Sequence, residues 1–208
     1  MNIDVFVGAI KRSYLLIIVW IVVLVVIALI ATWRLPQTYE AGGTATAIHG
    51  TDISQASVNY YLYDNYYSIQ SGAFIADDIV SWLASPPMVA AIYKDAGVSQ
   101  RDTSVKALAK IFTSKKQSAT SNVATYTVSD TNPDNARRLI LSANKSINAQ
   151  VADINKDQKD KAGYFSINFT EPVVVKPPKG YLINSIVAGA LGLIFSLAIA
   201  LYRPAPRS

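Results

Sequence analysis

The 208-residue sequence predicts an α+β domain, a mixed sheet with one long helix, held between two transmembrane α-helices. Two charge-free apolar runs, Tyr14 to Trp33 and Tyr181 to Tyr202, carry the membrane part of that reading. Each is about 20 residues long, enough at about 1.5 Å per residue to cross a hydrocarbon layer of about 30 Å. Between them, runs of small and β-branched residues that alternate at period two are interleaved with segments of helical period. The clearest of those helical segments starts at Asn132-Pro133 and keeps its apolar period for about 28 residues, roughly 42 Å of helix.

The resulting division is an N-terminal segment 1–13, a first transmembrane helix 14–33, an external domain 34–180, a second transmembrane helix 181–202 and a tail 203–208. Lys11 and Arg12 precede the first run, and Arg203 and Arg207 follow the second. Basic residues beside membrane segments are retained in the cytoplasm, whereas long loops translocate largely regardless of charge. Both termini are therefore expected to be cytoplasmic and the domain external or periplasmic, with the chain in the cytoplasmic (inner) membrane; Lys176 and Lys179 oppose this weakly. The first run is longer than the apolar part of a cleaved signal peptide and no A-x-A site follows it, so it is expected to remain as an anchor.

Of 19 basic and 14 acidic residues, four basic ones lie in the short flanks, which leaves the middle close to charge balance. No nucleic-acid partner is expected from that balance. Cysteine is absent, which removes disulfides and thiolate chemistry.

Taken in order, Leu35 to Ala41 is an extended exit from the first anchor, and Thr44 to Ile48 starts the sheet. Leu62, Tyr66, Ile69, Phe74, Ile79, Val80 and Leu83 predict one bent helix or two, with the break near Ser71-Gly72. Pro86 and Pro87 open a helix through Ala96 that Gly97 terminates, its apolar face being Val89, Ile92 and Tyr93. A short helix, Thr103 to Lys110, leads to a β-hairpin whose strands are Ile111 to Lys116 and Val123 to Val128. The long helix has Asn132 as N-cap, Pro133 as first residue and Asp134 near its positive end. Ala136, Leu139, Ile140, Ala143, Ile147, Val151 and Ile154 form its apolar stripe, and its end is expected near Gly163 after Lys156, Lys159 and Lys161. At that length its polar second half should project from the core. Tyr164 to Val175 is the last strand, and Pro172, Pro177 and Pro178 make a stiff lead to the second anchor.

No catalytic constellation assembles from these residues. His49, the single histidine, is expected at the surface, and the serines and threonines lack an identifiable base. Asp77 and Asp78 diverge on a helix, so they make no acid–base pair. Asp153, Asp157 and Asp160 share a helical face, but Lys156 and Lys161 beside them favour ion pairs over a metal. No metal or cofactor is expected. Binding surfaces are better marked. Ala188, Gly192, Ser196 and Ala200 form a small-residue ridge along the second anchor, suited to close approach by the first anchor, a neighbouring subunit or a partner helix. Tyr60, Tyr63 and Tyr67, with Tyr61 and Tyr66, cluster as candidate subunit or glycan contacts, unless they pack between helices.

In order and spacing these features resemble the polysaccharide co-polymerases, the Wzz-type chain-length determinants and their relatives beside bacterial tyrosine kinases. The resemblance spans nearly the whole chain. The start Ile3-Asp4-Val5-Phe6 and Ile10-Lys11-Arg12 precedes the first anchor, and Pro36-Gln37-Thr38-Tyr39-Glu40-Ala41 is similar to the family's P-x-x-Y-x-A exit. Ser85-Pro86-Pro87-Met88-Val89, the helix start Ser129 to Ala136 around Pro133, and the lead at Pro172, Pro177 and Pro178 follow in the family's order. The resemblance implies a Wzz-like fold and a non-enzymatic homo-oligomer, a ring or barrel that sets the length of a surface glycan such as O-antigen, capsule or exopolysaccharide. Its implied partners are the lipid bilayer, a membrane polysaccharide polymerase and the glycan chain, with room for a separate cytoplasmic tyrosine kinase.

Two departures qualify the match. The domain is small beside the members that build tall barrels. The tail, Arg203 to Ser208, has no phosphate-binding G-x-x-x-x-G-K-[ST] loop or tyrosine cluster, so a short member without a fused kinase is expected. The rival class is a membrane-anchored sensor or accessory scaffold with an external ligand-binding domain.

Overall fold

A computed structural model describes residues 3–50, 60–100, 104–158 and 164–202, with side chains of 3–12, 60–69 and 200–202 outside that description. The elements run α1 (Ile3–Arg34), β1 (Tyr39–His49), α2 (Tyr60–Leu83), α3 (Pro86–Ala96), α4 (Val105–Leu108), β2 (Phe112–Lys116), β3 (Val123–Asp130), α5 (Pro133–Lys156), β4 (Phe165–Phe169), β5 (Val173–Val175) and α6 (Tyr181–Tyr202). They divide into two units, Thr38–Pro177 and the pair of segments Met1–Gln37 and Pro178–Ser208.

The α+β unit is a five-stranded sheet in the order β2-β3-β1, with β4 and β5 sharing the far side of β1. Every described pairing is antiparallel, where a mixed sheet was expected. The reason lies in the position of β1. β3 and β4 run in the same direction and are joined through α5, but β1 runs against both and sits between them, so the parallel strands are not neighbours.

Side chains alternate across a strand, and the odd residues of β1, Ala41, Ala45 and Ala47, are buried with Gly43 among them. Ala124, Tyr126 and Val128 continue that face on β3. Ile75, Ile79 and Leu83 of α2, Val89 and Ile92 of α3, and Leu139, Ile140, Ile147 and Val151 of α5 cover it in one cluster. Small residues on β1 and large ones on the helices let the layers interdigitate. Gly43 marks a close approach of α5: a Cβ there would lie 3.1 Å from the Ile140 Cγ2.

α2 is one continuous helix from Tyr60 to Leu83, not two pieces broken at Ser71-Gly72. Gly72 is there for contact, not flexibility. A Cβ at this position would meet the Ala47 carbonyl oxygen at 2.9 Å and the Asn122 Cβ at 3.1 Å, so only glycine lets α2 lie this close to the end of β1. The apolar face expected for this helix also needs correcting at Phe74, which is 62% exposed.

α3 begins with Pro86 and ends at Gly97, whose φ of 63° is the left-handed cap that glycine adopts without strain. α4 is a single turn, shorter than Thr103 to Lys110, started by Ser104 accepting from the Ala107 amide at 3.2 Å. α2 from Gln70 and α3 cross at 76°; together they match a span in length and composition, but Ile79, Leu83, Val89 and Ile92 are wholly buried in the α+β core.

α5 has the predicted start: Asn132 Oδ1 accepts from the Asp134 amide at 2.8 Å and Pro133 is the first helical residue. Its end differs from the expectation. The helix stops at Lys156, before Gly163, and its second half stays on the sheet, with Ile147 and Val151 buried. Asn155 ties that last turn to the sheet. Its amide donates to the Phe165 carbonyl and accepts from the Phe165 N–H, both at 2.8 Å, so the last turn holds the first residue of β4 as a strand partner would. Lys159, Lys161 and Gly163 lie outside the described residues.

The last strand is two strands. Between the pairs Ala45–Phe169 and Gly42–Val173, three residues of one strand face two of the other, a β-bulge at Thr170-Glu171-Pro172. Pro172 has no N–H to give a ladder, and Thr170 compensates: its N–H donates to the Thr44 carbonyl and its Oγ1 accepts from the Thr44 N–H.

The second unit is an antiparallel pair. Two helical stretches, Ser13–Arg34 and Tyr181–Ile199, are long and apolar enough to cross a membrane. Trp20 packs edge-on against Phe195 with ring centres 5.6 Å apart, and Asn184 Nδ2 donates to Thr32 Oγ1 at 2.9 Å near the other end.

Candidate functional site

The small-residue ridge of α6 lies against α1. A Cβ on Gly192 would stand 3.0 Å from the Ile21 Cα and 3.5 Å from the Leu24 Cδ1, so the backbones meet as closely as a glycine allows. Ser196 is fully buried beside it and returns its hydroxyl proton to the Leu193 carbonyl; Ala188 is half-buried. The side chain of Ala200 lies outside the described residues. Lys179, whose charge opposes the expected membrane orientation, serves α1 locally. Its ammonium donates to the carbonyls of Trp33 and Leu35, at 3.1 and 2.7 Å, and so satisfies the C-terminal end of that helix.

The residues that carry the family resemblance fall in different places. Tyr39 opens β1 opposite Asp130, and Asp130 Oδ1 accepts from the Asn132 N–H at the start of the helix that Pro133 begins. Glu40 pairs with Ser129 on one side and Val175 on the other. The structure thus brings Tyr39, the Pro133 start and the end of β5 before Pro177 to one end of the sheet. Pro172 sits apart, in the bulge. Pro36 and Pro178 belong to the two-helix unit. Tyr60, Tyr63 and Tyr67 are on the first turns of α2, with side chains outside the described residues.

His49 is half-buried, not on the surface: its ring lies edge-on to Phe165 with centres 4.8 Å apart, because the end of β1 pairs with the start of β4. Asp77 and Asp78 do diverge. Asp77 meets Lys116 at 2.7 Å, while partial burial, and then the Asp77 charge, raise the Asp78 carboxyl above its ordinary range. Asp153 pairs with Lys156 at 2.6 Å, Asp157 caps α5 and Asp160 lies outside the described residues.

Sequence reasoning missed two polar clusters. In the first, Ser142 of α5 donates to the Ile92 carbonyl and to Asp95 Oδ2, at 3.0 and 2.8 Å, and Lys145 meets Asp95 Oδ1 at 2.5 Å. The Lys145 and Ser142 hydrogen bonds hold the Asp95 carboxyl below the usual carboxylate range. With its proton given to a carboxylate, Ser142 is a bracket between α3 and α5, not a nucleophile. Only its position three residues from Lys145 was readable in advance.

The second cluster is a groove of about 190 Å³ between α2 and the turn after β2, lined by Gln70, Ala73, Phe74, Asp77, Lys116, Ala119 and Thr120. Lys116 is nearly buried there, donating to the Ala73 carbonyl at 3.1 Å and to Asp77. Gln70, Phe74 and Asp77 repeat at helical spacing, which was the available signal, but Phe74 read equally well as core. Compared with models of protein families and with curated proteins, the chain matches none.

Proposed function

We propose that the protein is a non-enzymatic polysaccharide co-polymerase, a homo-oligomeric membrane scaffold that regulates the chain length or export of a surface glycan. One observation supports this above the others: an α+β unit whose first and last strands are neighbours, Glu40 opposite Val175, is strung between two apolar helices that pair with each other through Gly192. Such a chain can present a domain repeatedly around a membrane ring with both of its ends returning to the same side. The order of the Pro36–Tyr39, Pro86–Pro87, Pro133 and Pro172–Pro178 segments along that frame is the family's order.

In this reading α1 and α6 span the cytoplasmic membrane, with Lys11, Arg12, Arg203 and Arg207 keeping both termini inside and the α+β unit outside. Length control follows from holding polymer and polymerase against a scaffold, so the chain itself performs no bond-making step. The reading is tested by the length distribution of the surface polysaccharide in a deletion strain and its complemented form. A collapsed or randomised distribution that complementation restores is the expected result. An unchanged distribution points instead to a membrane-anchored sensor or accessory scaffold.

A further inference from the structure

We infer that the groove between α2 and the β2–β3 turn is a carbohydrate subsite that takes one neutral hexopyranose ring. For the source of that ring, an internal residue of a polysaccharide, the inference rests on the function proposed above. The site itself stands on its own geometry.

Its walls are held before any ligand arrives. On one side Gly72 lets α2 approach the Ala47 carbonyl to a distance that no larger residue permits. On the other, the Asn122 side chain donates to that same carbonyl at 2.8 Å, and the Ala47 N–H donates to the Asn122 carbonyl at 2.9 Å. Helix and turn are thus both pinned to the end of β1, and the space between them is a fixed cleft.

The lining selects a sugar. Phe74 presents an aromatic ring to solvent, 62% exposed on the helix face that carries Gln70 and Asp77, although a phenylalanine at this spacing would ordinarily turn to the core. An aromatic face packs against the C–H face of a pyranose. Gln70, Asp77 and Thr120 line the same groove, and an amide, a carboxylate and a hydroxyl can donate to and accept from ring hydroxyls. Lys116 and Asp77 offset each other's charge at 2.7 Å, so the groove has no surplus charge to favour an anion or a cation. Its volume of about 190 Å³ is below that of drug-sized sites, which begin near 300 Å³, and suits a single ring.

The test uses the full-length protein in lipid nanodiscs, avoiding detergents with sugar headgroups. Binding of methyl glucopyranoside, methyl galactopyranoside and a linear glucose trisaccharide is followed by saturation-transfer NMR and titration, with glucuronate and inorganic phosphate as charged probes. A second nanodisc preparation carries a glucosyl lipid in place of free sugar. Expected are binding of a neutral hexose in solution, weakening by about tenfold in Phe74→Ala, and a several-fold loss in Gln70→Ala. Both substituted side chains are exposed, and an unchanged circular dichroism melt confirms folding. The subsite is overturned by the absence of any hexose signal, by parental binding in both variants, or by preference for glucuronate or phosphate. Binding of the glucosyl lipid alone overturns the polysaccharide source. Hexose binding at Phe74 in a protein whose deletion leaves glycan length unchanged would remove the co-polymerase reading and leave the site.

Discussion

The two units of this protein place their bulky and small residues in opposite ways. In the α+β unit Ile79, Leu83, Ile92, Leu139, Ile140 and Ile147 are wholly buried, and Ser142 is the one buried polar residue among those described. In the two-helix unit the exposed residues include Ile18, Val19, Ile30, Leu182, Ile186 and Ile194, whereas Ser13, Thr32, Gly192 and Ser196 are buried. The inversion is what water around the α+β unit and lipid around the two-helix unit would produce. Water drives apolar area inward at about 25 cal/mol per Å², so large side chains fill the α+β core. Lipid is as apolar as leucine, so helices meet there through close packing and hydrogen bonds, for which small and hydroxyl residues serve best.

That contrast can be broken most severely at Ile147. Ile147→Asp puts an uncompensated charge into a fully buried position and should cost several kcal/mol, about 3–5. Urea unfolding of the full chain in nanodiscs should lose its cooperative transition for the α+β unit; a parental curve would remove that face of α5 from the core. Leu139→Ala, which only leaves a cavity, should cost about 2–5 kcal/mol with the slope of unfolding unchanged.

In the other unit the disruptive change is an added side chain. Gly192→Leu must displace Ile21, an overpacking worth about 1–3 kcal/mol. Because the chain contains no cysteine, the pair Val25→Cys and Gly189→Cys reports the contact directly: a disulfide should form in the parent background and fail with Gly192→Leu, while the α+β unfolding transition stays in place. Loss of both together would mean that the units do not stabilise independently. Removing the Asn184–Thr32 hydrogen bond with Asn184→Ala should have a smaller effect, about 0.6 kcal/mol and at most about 2. The cross-link should survive it.

The smallest effect is a matter of pH. Asp95 titrates below its ordinary value of 3.8 because Lys145 and Ser142 bond its charged form. The folded state therefore binds this proton less readily than the unfolded one, and the stabilisation is complete above the unfolded value and lost as pH falls through the folded value. Asp95→Asn should leave the unfolding midpoint less pH-dependent below about pH 4. An identical acid limb in parent and variant would show that the bracket contributes nothing.

How far each part was legible depends on the range of the interactions involved. Local signals were read correctly: the Pro86 start and Gly97 stop of α3, the Asn132-Pro133 cap of α5 and the β2–β3 hairpin depend on neighbours within a few residues. The end of α5 was not, because its last turn is tied through Asn155 to Phe165 of the next strand, a contact that helical period does not reveal. Gly72 looked like a helix break, since glycine has the same letter whether it bends a chain or admits a neighbour, and the neighbour here is Ala47. The groove suffered the same fate: four of its lining residues come from α2 and three from the end of β2 and the turn after it, about forty residues on.

The sequence by itself determined the two apolar helices, the α+β composition between them, and most element boundaries marked by proline, glycine or a polar cap. It did so because membrane length, helical period and backbone sterics are local properties. Only tertiary structure decided that β1 stands between β3 and β4, that β4 and β5 share its edge across a bulge, that Gly192 faces Ile21, and that Phe74 turns outward beside Lys116. Those outcomes depend on which distant surfaces meet, and burial, hydrogen bonding and close approach select among pairings that local sequence leaves equally open.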